Sequence, residues 1–315
     1  MAKRIDKAPH SDLSLAVVAL MVVCLGCWGG GTKQGTRSDG PVTSYTPDTS
    51  KDNNAKTNKN TNVNSETNKA KGFNGNLPEG FTSPTDDAGR LLLKEYGAVF
   101  VTRGGAVPPK KVVFRDQAEV TAFQGLLKTS SETIGGFALE LQAPAMEGLR
   151  KAIADAKASG LSITPRDKDS AKRTYDETIE LWKSRVDPAL KHWVGKGRLT
   201  QAQADKIRNL SPYEQVPEVL KLEADGIYFA KDLSKSIIYS VAPPGTSQHL
   251  SMLAIDLNEH DDPKVRAVLA ANGWFQTVVS DLPHFTYLGV AESELPGLGL
   301  KKTSSGGRDF WVPDI

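Results

Sequence analysis

Cysteine is nearly absent from the 315 residues: Cys24 and Cys27 are the only two. Everything after Cys27 therefore lacks a thiol to form a disulfide, ligate a metal or act as a nucleophile, which removes cysteine chemistry from the folded part. An excess of one charge is missing too. Lys and Arg total 39 against 37 Asp and Glu, the formal charge is +2, and no basic run exceeds two residues. A dedicated nucleic-acid binder needs a basic footprint, so nucleic acid is not an expected partner. The 13-residue apolar run Ser14–Gly26 falls short of the roughly 20 residues that cross a bilayer as a helix.

That run, SLAVVALMVVCLG, follows Lys3, Arg4 and Lys7 and has the length of an export signal's apolar region. Gly26-Cys27 closes it and resembles a bacterial lipobox, in which the cysteine becomes the lipidated first residue of the mature chain. Cys24 and Leu25 stand where such a box has Leu and a small residue, so a cleaved secretory signal and an uncleaved anchor stay open as alternatives. Residues 1–27 are thus read as a leader with lipidation at Cys27, and the chain as exported to the cell envelope, facing periplasm or wall. From Trp28 to Asp87 the chain is rich in Asn, Thr, Lys, Ser and Gly and poor in aliphatic residues. Such a segment buries too little apolar area to offset its ordering entropy. It reads as a tether with a reach of about 40 Å.

The composition changes at Arg90, where LLLKEYGAVFV begins, and residues 88–315 are expected to form one domain. Met146, Leu149, Ile153 and Ala156 recur at helical spacing before Gly160. Tyr175, Ile179, Trp182 and Val186 make a second stripe, and further helix extends to Ala224. A short helix is expected over Gln117–Leu127 after the N-cap Asp116, and another from Asp262 and Pro263 to a stop at Gly273. VPPKKVVF, GIYFA, SIIYSV, LAIDL and FTYLG read as strands, most of them late in the chain. The expectation is an α+β domain, helices packed on a mainly antiparallel sheet.

Within this domain His249 and His284 sit at strand edges, with Asp256 seven residues after the first. These are metal-ligand residue types. Each also has a plain structural reading: His249 as a turn residue bonded to backbone, Asp256 as a buried acceptor, His284 as a half-buried strand residue. On a regular strand His249 and Asp256 would point apart, so a bend near Ser251 has to bring them together. His260 and His192 read as a turn and a helix-end residue, and His10 belongs to the leader.

The words around these residues say more than their spacing. Ser247-Gln248-His249-Leu250-Ser251-Met252-Leu253-Ala254-Ile255-Asp256, then Asn272-Gly273-Trp274-Phe275, then Asp281-Leu282-Pro283-His284-Phe285, resembles the zinc D-Ala-D-Ala carboxypeptidase and dipeptidase family. That family includes the vancomycin-resistance D,D-peptidases and shares the hedgehog-type fold. The resemblance covers about Val241 to Gly289 and, more loosely, back to Leu141. It implies zinc (Zn2+) held by His249, Asp256 and His284, Ser247 at the substrate, and peptidoglycan stem peptides as partners. The family's general base is a Glu three residues before the last His, and Asp281 holds that place one methylene short. Met252 stands where the family has Gly, and a bulky side chain there is expected to narrow the cleft. The family's arginine for the substrate carboxylate finds its best match in Arg166 of Ile163-Thr164-Pro165-Arg166, with Arg173 as competitor. A planar guanidinium suits a carboxylate because it offers two parallel hydrogen bonds. A module of the same fold that binds wall peptides or a partner without cutting them, and a peptidase for another wall bond such as L-Ala-D-Glu, remain alternatives.

Overall fold

The computed structural model describes residues 72–315. Lipidation at Cys27 and the leader lie outside them, as does the tether up to residue 71. Helix α1 (Gly72–Asn76) precedes the compositional change at Arg90 yet puts Phe73 into the core at 1% exposure. Its backbone crosses Gly299 so closely that a Cβ there would lie 2.0 Å from the Phe73 nitrogen. Glycine is required at that crossing, where φ is +78°.

Helix α2 (Asp87–Tyr96) starts at Asp86, whose carboxylate accepts from the Gly89 amide at 2.8 Å, and runs into a buried 3-10 turn, Gly97–Val101. Asp116 caps α3 (Gln117–Gln124) in the same way, as its sequence implied. Next comes a hairpin absent from the sequence reading: β1 (Thr129–Ile134) and β2 (Phe137–Gln142), antiparallel, with Ile134 facing Phe137. Gly135 and Gly136 form its two-residue turn, both at positive φ, the pairing that matches strand twist.

Helix α4 (Ala143–Ala158) buries Met146, Leu149 and Ala156, and α5 (Tyr175–Gly195) buries Tyr175, Trp182 and Val186. α5, α6 (Gln201–Arg208) and α7 (Pro212–Ala224) each open with a capping box, Thr174 with Glu177, Thr200 with Gln203, and Ser211 with Glu214. Then come β3 (Ala254–Asp256), α8 (Pro263–Ala271), β4 (Trp274–Phe275) and β5 (His284–Tyr287). The three strands form one antiparallel sheet in the order β3-β5-β4. A closing hairpin, β6 (Leu300–Ser305) and β7 (Arg308–Pro313), turns at Gly306-Gly307. The architecture is a mix of helices and antiparallel sheet, and among the described residues no helix is long and apolar enough to cross a membrane.

Three expected strands are absent. GIYFA has no strand, and in SIIYSV residues Ile237–Tyr239 form a 3-10 turn. Local backbone bonds, such as the Tyr239 amide on the Ser236 carbonyl and the Val241 amide on the Ile237 carbonyl, together with side chains, satisfy the backbone there and remove the need for a strand partner. The buried Glu223 carboxylate accepts from the amides of Phe229 and Ile237 at 3.0 and 2.7 Å and from the Ser236 hydroxyl, while the Trp193 indole donates to the Tyr228 carbonyl. VPPKKVVF also runs as loop, with one isolated bridge from Lys111 to Thr82, because its prolines offer no amide donor.

Candidate metal centre

β3 carries Asp256 and pairs with β5 so that Asp256 faces His284 directly. His249 arrives from outside the sheet. It lies in a 3-10 turn, Gln248–Ser251, and Met252 follows in the left-handed region at φ 57°, ψ 31°. That turn and that residue make the bend near Ser251 which the seven-residue spacing demands. It also explains why glycine suits the position in the resembling family. The Met252 side chain is fully buried and is not among the residues lining the adjacent pocket, so the expected narrowing of the cleft does not occur. Met252→Gly relieves about 1–2 kcal/mol of left-handed strain. It also deletes a buried side chain worth about 2–5 kcal/mol. Urea unfolding should show a net loss of stability, and a gain would mean that the strain outweighs the packing.

The far edge of β3 is held by the segment before α5. The Asp256 amide donates to the Ser170 carbonyl at 2.9 Å, the Arg166 amide donates to the Asp256 carbonyl at 3.2 Å, and Asn258 donates to Thr164. Arg166 thus touches a candidate ligand through its backbone. Its side chain is exposed and does not line the pocket over the cluster, away from the place expected for it at the substrate. Arg173 is the arginine that lines it, and its guanidinium donates to Asp256 Oδ2 at 2.7 Å.

His249, Asp256 and His284 are 1%, 8% and 4% exposed, and one ligand atom from each lies within 4.8 Å of the others. Their hydrogen bonds fix which ring nitrogens carry protons. His249 Nδ1 lies 2.7 Å from the Ala171 carbonyl, which only accepts, so Nδ1 holds the proton and Nε2 presents a lone pair. Nε2 has no hydrogen-bond partner and lies 3.3 Å from Asp256 Oδ1. For His284 the partner that sets the proton is Gln248. The Gln248 amide nitrogen donates to the Tyr96 carbonyl at 2.9 Å, so Oε1 must face His284 Nε2, 2.9 Å away, and accept its proton. Thr286 donates to the same oxygen. In the neutral ring a metal requires, His284 Nδ1 is then a second lone pair, 3.1 Å from Asp256 Oδ1.

With both rings neutral, two imidazole lone pairs and a carboxylate oxygen converge. Burial lowers the His249 pKa, against the opposing pull of Asp256, and favours the neutral ring that a metal requires. Burial pushes the Asp256 carboxyl up, yet the group is held well below the usual range, in keeping with the Arg173 guanidinium that donates to its Oδ2 at 2.7 Å. An orphaned buried ring nitrogen, two neutral rings with defined tautomers and an ionised carboxylate fit a divalent cation bound by nitrogen and oxygen, with a coordination position to spare. Gln248, Thr286 and Tyr96 were not singled out in the sequence. Only the first had a visible cue, its place inside the Ser-x-His word.

A pocket of about 180 Å³ opens over this cluster, lined by both histidines, Ser247, Arg173, Arg185 and Asp281 among others. Asp281 is exposed at its edge. The turn that carries it is closed by the Asp281 amide on the Val278 carbonyl and by the His284 amide on the Asp281 carbonyl, at 3.1 and 3.2 Å. His260 and His192 lie at a turn and near the end of α5, away from the pocket lining.

No family model matches the sequence, and no curated protein matches it. Among solved structures, a mutant of the vancomycin-resistance D,D-pentapeptidase VanY from a VanB-type cassette, in complex with Zn(II), is 17% identical. The match covers 62% of this chain and 89% of that one, with a TM-score of 0.32. VanYB in complex with D-alanine-D-alanine is 19% identical over 51% of this chain and 77% of that one, with a TM-score of 0.30. Both scores are low, and the functional reading rests on the residues of the site.

Proposed function

We propose that this protein is an exported, lipid-anchored zinc metallopeptidase of the D-alanyl-D-alanine carboxypeptidase type, built on the hedgehog/D,D-peptidase fold, that trims peptidoglycan stem peptides. The observation that carries the reading is the convergence of three candidate ligand atoms under a pocket that also holds a free carboxylate and an arginine. His249, Asp256 and His284 would hold the zinc, which when bound lowers the pKa of a coordinated water and polarises a carbonyl. Asp281 takes the proton of the attacking water and returns it to the leaving amine. Arg173 keeps Asp256 ionised and oriented through its 2.7 Å bond, and its place in the lining suits it, in preference to Arg166, to the substrate carboxylate. Ser247 lines the same pocket and offers a hydroxyl to the peptide. Metal analysis of the purified chain, with mass spectrometry of stem-peptide digests, tests the reading. It expects zinc and loss of the terminal D-Ala, and cleavage elsewhere in the peptide would shift the assignment to another wall bond.

A second reading is a module that binds wall peptides without cutting them. Its support is the short Asp281, whose side chain has no hydrogen bond or ion pair among the described residues to hold it toward the metal centre. The anchor has its own test. Cys27→Ala is expected to release the protein from the membrane fraction, and retention with an intact N-terminus would make the leader a true membrane anchor.

A further inference from the structure

The pocket over the metal centre runs along α5. Arg173 precedes the helix and meets Asp256, and Thr178, Leu181 and Arg185 continue the lining from the helix itself. Their spacing puts them on one helical face and carries the wall about 10 Å from Thr178 to Arg185. The two arginines differ in what holds them. Arg173 is paired with Asp256, whereas Arg185 donates from Nε to the Ser240 hydroxyl at 3.0 Å and from Nη1 to the Ser184 hydroxyl at 2.8 Å. Both of its partners are neutral, and among the described residues no carboxylate pairs with it, Asp281 of the same lining included. Its Nη2 makes no bond and is open to solvent. Ser240 also belongs to an adjoining groove of about 370 Å³, lined by Tyr239, Lys231, Asp232 and Lys235. Both lysines are exposed, so three cations stand around Ser240 against the single carboxylate of Asp232, which accepts from the Ser234 amide. Leu181 and Tyr239, 40% and 42% exposed, give the same stretch an apolar wall.

We propose that Arg185 determines which peptides this site prefers: those with a second carboxylate, carried two or three residues before the bond to be cut. The inference rests on the reading of the pocket as a peptide site and adds the chemistry of the peptide. With one end of the ligand at Arg173 and the metal centre, 10 Å of wall corresponds to about three residues of extended chain. An acidic side chain at that distance accepts from Arg185 Nη2, while the chain between lies against Leu181 and Tyr239. The bonds to Ser240 and Ser184 already hold the guanidinium, so little side-chain freedom is lost when the carboxylate arrives. An amide in place of the carboxylate forgoes the charge-assisted bond. Lys231 and Lys235 raise the local concentration of an anionic peptide without fixing its register.

The test is a calorimetric titration of the zinc-loaded full chain with acetylated peptides ending in D-Ala-D-Ala, using Asp281→Asn to hold them uncut. Glu and Gln are compared at the second and at the third residue before the scissile bond. At one of these positions the Glu peptide is expected to bind about tenfold more tightly at low salt, the lower end for a hydrogen bond to a charged group. The gap should shrink as salt screens the pair. Adding Arg185→Gln should remove the gap and leave the affinity for the Gln peptide unchanged, and Arg185→Lys should restore part of it. A purely structural role for Arg185 would weaken both peptides alike. Equal affinity for Glu and Gln peptides at both positions overturns the proposal while the peptide site stands. A gap that survives Arg185→Gln overturns it too and passes the acid to Lys231 and Lys235. If zinc is bound and no peptide of either kind binds, the reading of the pocket as a peptide site fails, and this inference with it.

Discussion

Alanine at His249 or at His284 is expected to abolish metal binding by the purified chain, from about one zinc per molecule to none retained after dialysis. Each histidine supplies one of three donors, and two donors with a half-open pocket above them do not hold the ion against water. The effect reaches the fold as well, because the cluster is poorly satisfied without a cation. Asp256 Oδ1 faces two ring nitrogens at 3.3 and 3.1 Å whose protons are committed to Ala171 and Gln248 on their far sides. Chelating the wild type should therefore lower its unfolding free energy, by about 4 kcal/mol if free zinc had stood at a thousand times its Kd. The variants should begin at that lower stability and ignore chelator. Full zinc occupancy in both variants would remove the metal centre from the account.

The parts of this centre differ in how far the sequence discloses them. The helices were legible because their cues are local: a stripe such as Tyr175, Trp182 and Val186 sits within one element, and Asp116 and Asp262 cap helices next to them in the chain. The three candidate ligands were legible from the words around them, not from any period. The strands fared worse. GIYFA and SIIYSV have strand composition, yet the Glu223 carboxylate, thirteen residues before Ser236, takes one amide from each, and local turn bonds leave them as loop and 3-10 turn. Nothing in a local window announces that bond. The early hairpin was missed for the opposite reason: TSSETI is polar and alternates weakly, and the Gly135-Gly136 turn was its only clear cue. The choice between Arg166 and Arg173 turned on a long-range fact, the pairing of segment 164–170 with β3, which commits the Arg166 backbone and swings Arg173 onto Asp256.

Asp281→Asn is expected to retain zinc and to lose hydrolysis of a peptide ending in D-Ala-D-Ala by about a hundredfold to ten-thousandfold, the usual contribution of a positioned general base. Zinc stays because none of the three donors changes and the turn to His284 is closed by backbone bonds that the amide leaves alone. Hydrolysis falls because an amide cannot take the water's proton near neutral pH. Asp281→Glu then separates the two readings of this site. A misplacement of about 1 Å costs roughly a hundredfold in rate, so a backbone adapted to the shorter carboxylate should lose activity when a methylene is added. A site that has drifted from an ancestral Glu should gain it. Equal rates for the wild type and Asp281→Asn would show that another group accepts the proton. If the wild type and both variants bind zinc and leave every wall peptide intact, the pocket holds peptides without cutting them, and the binding module replaces the peptidase.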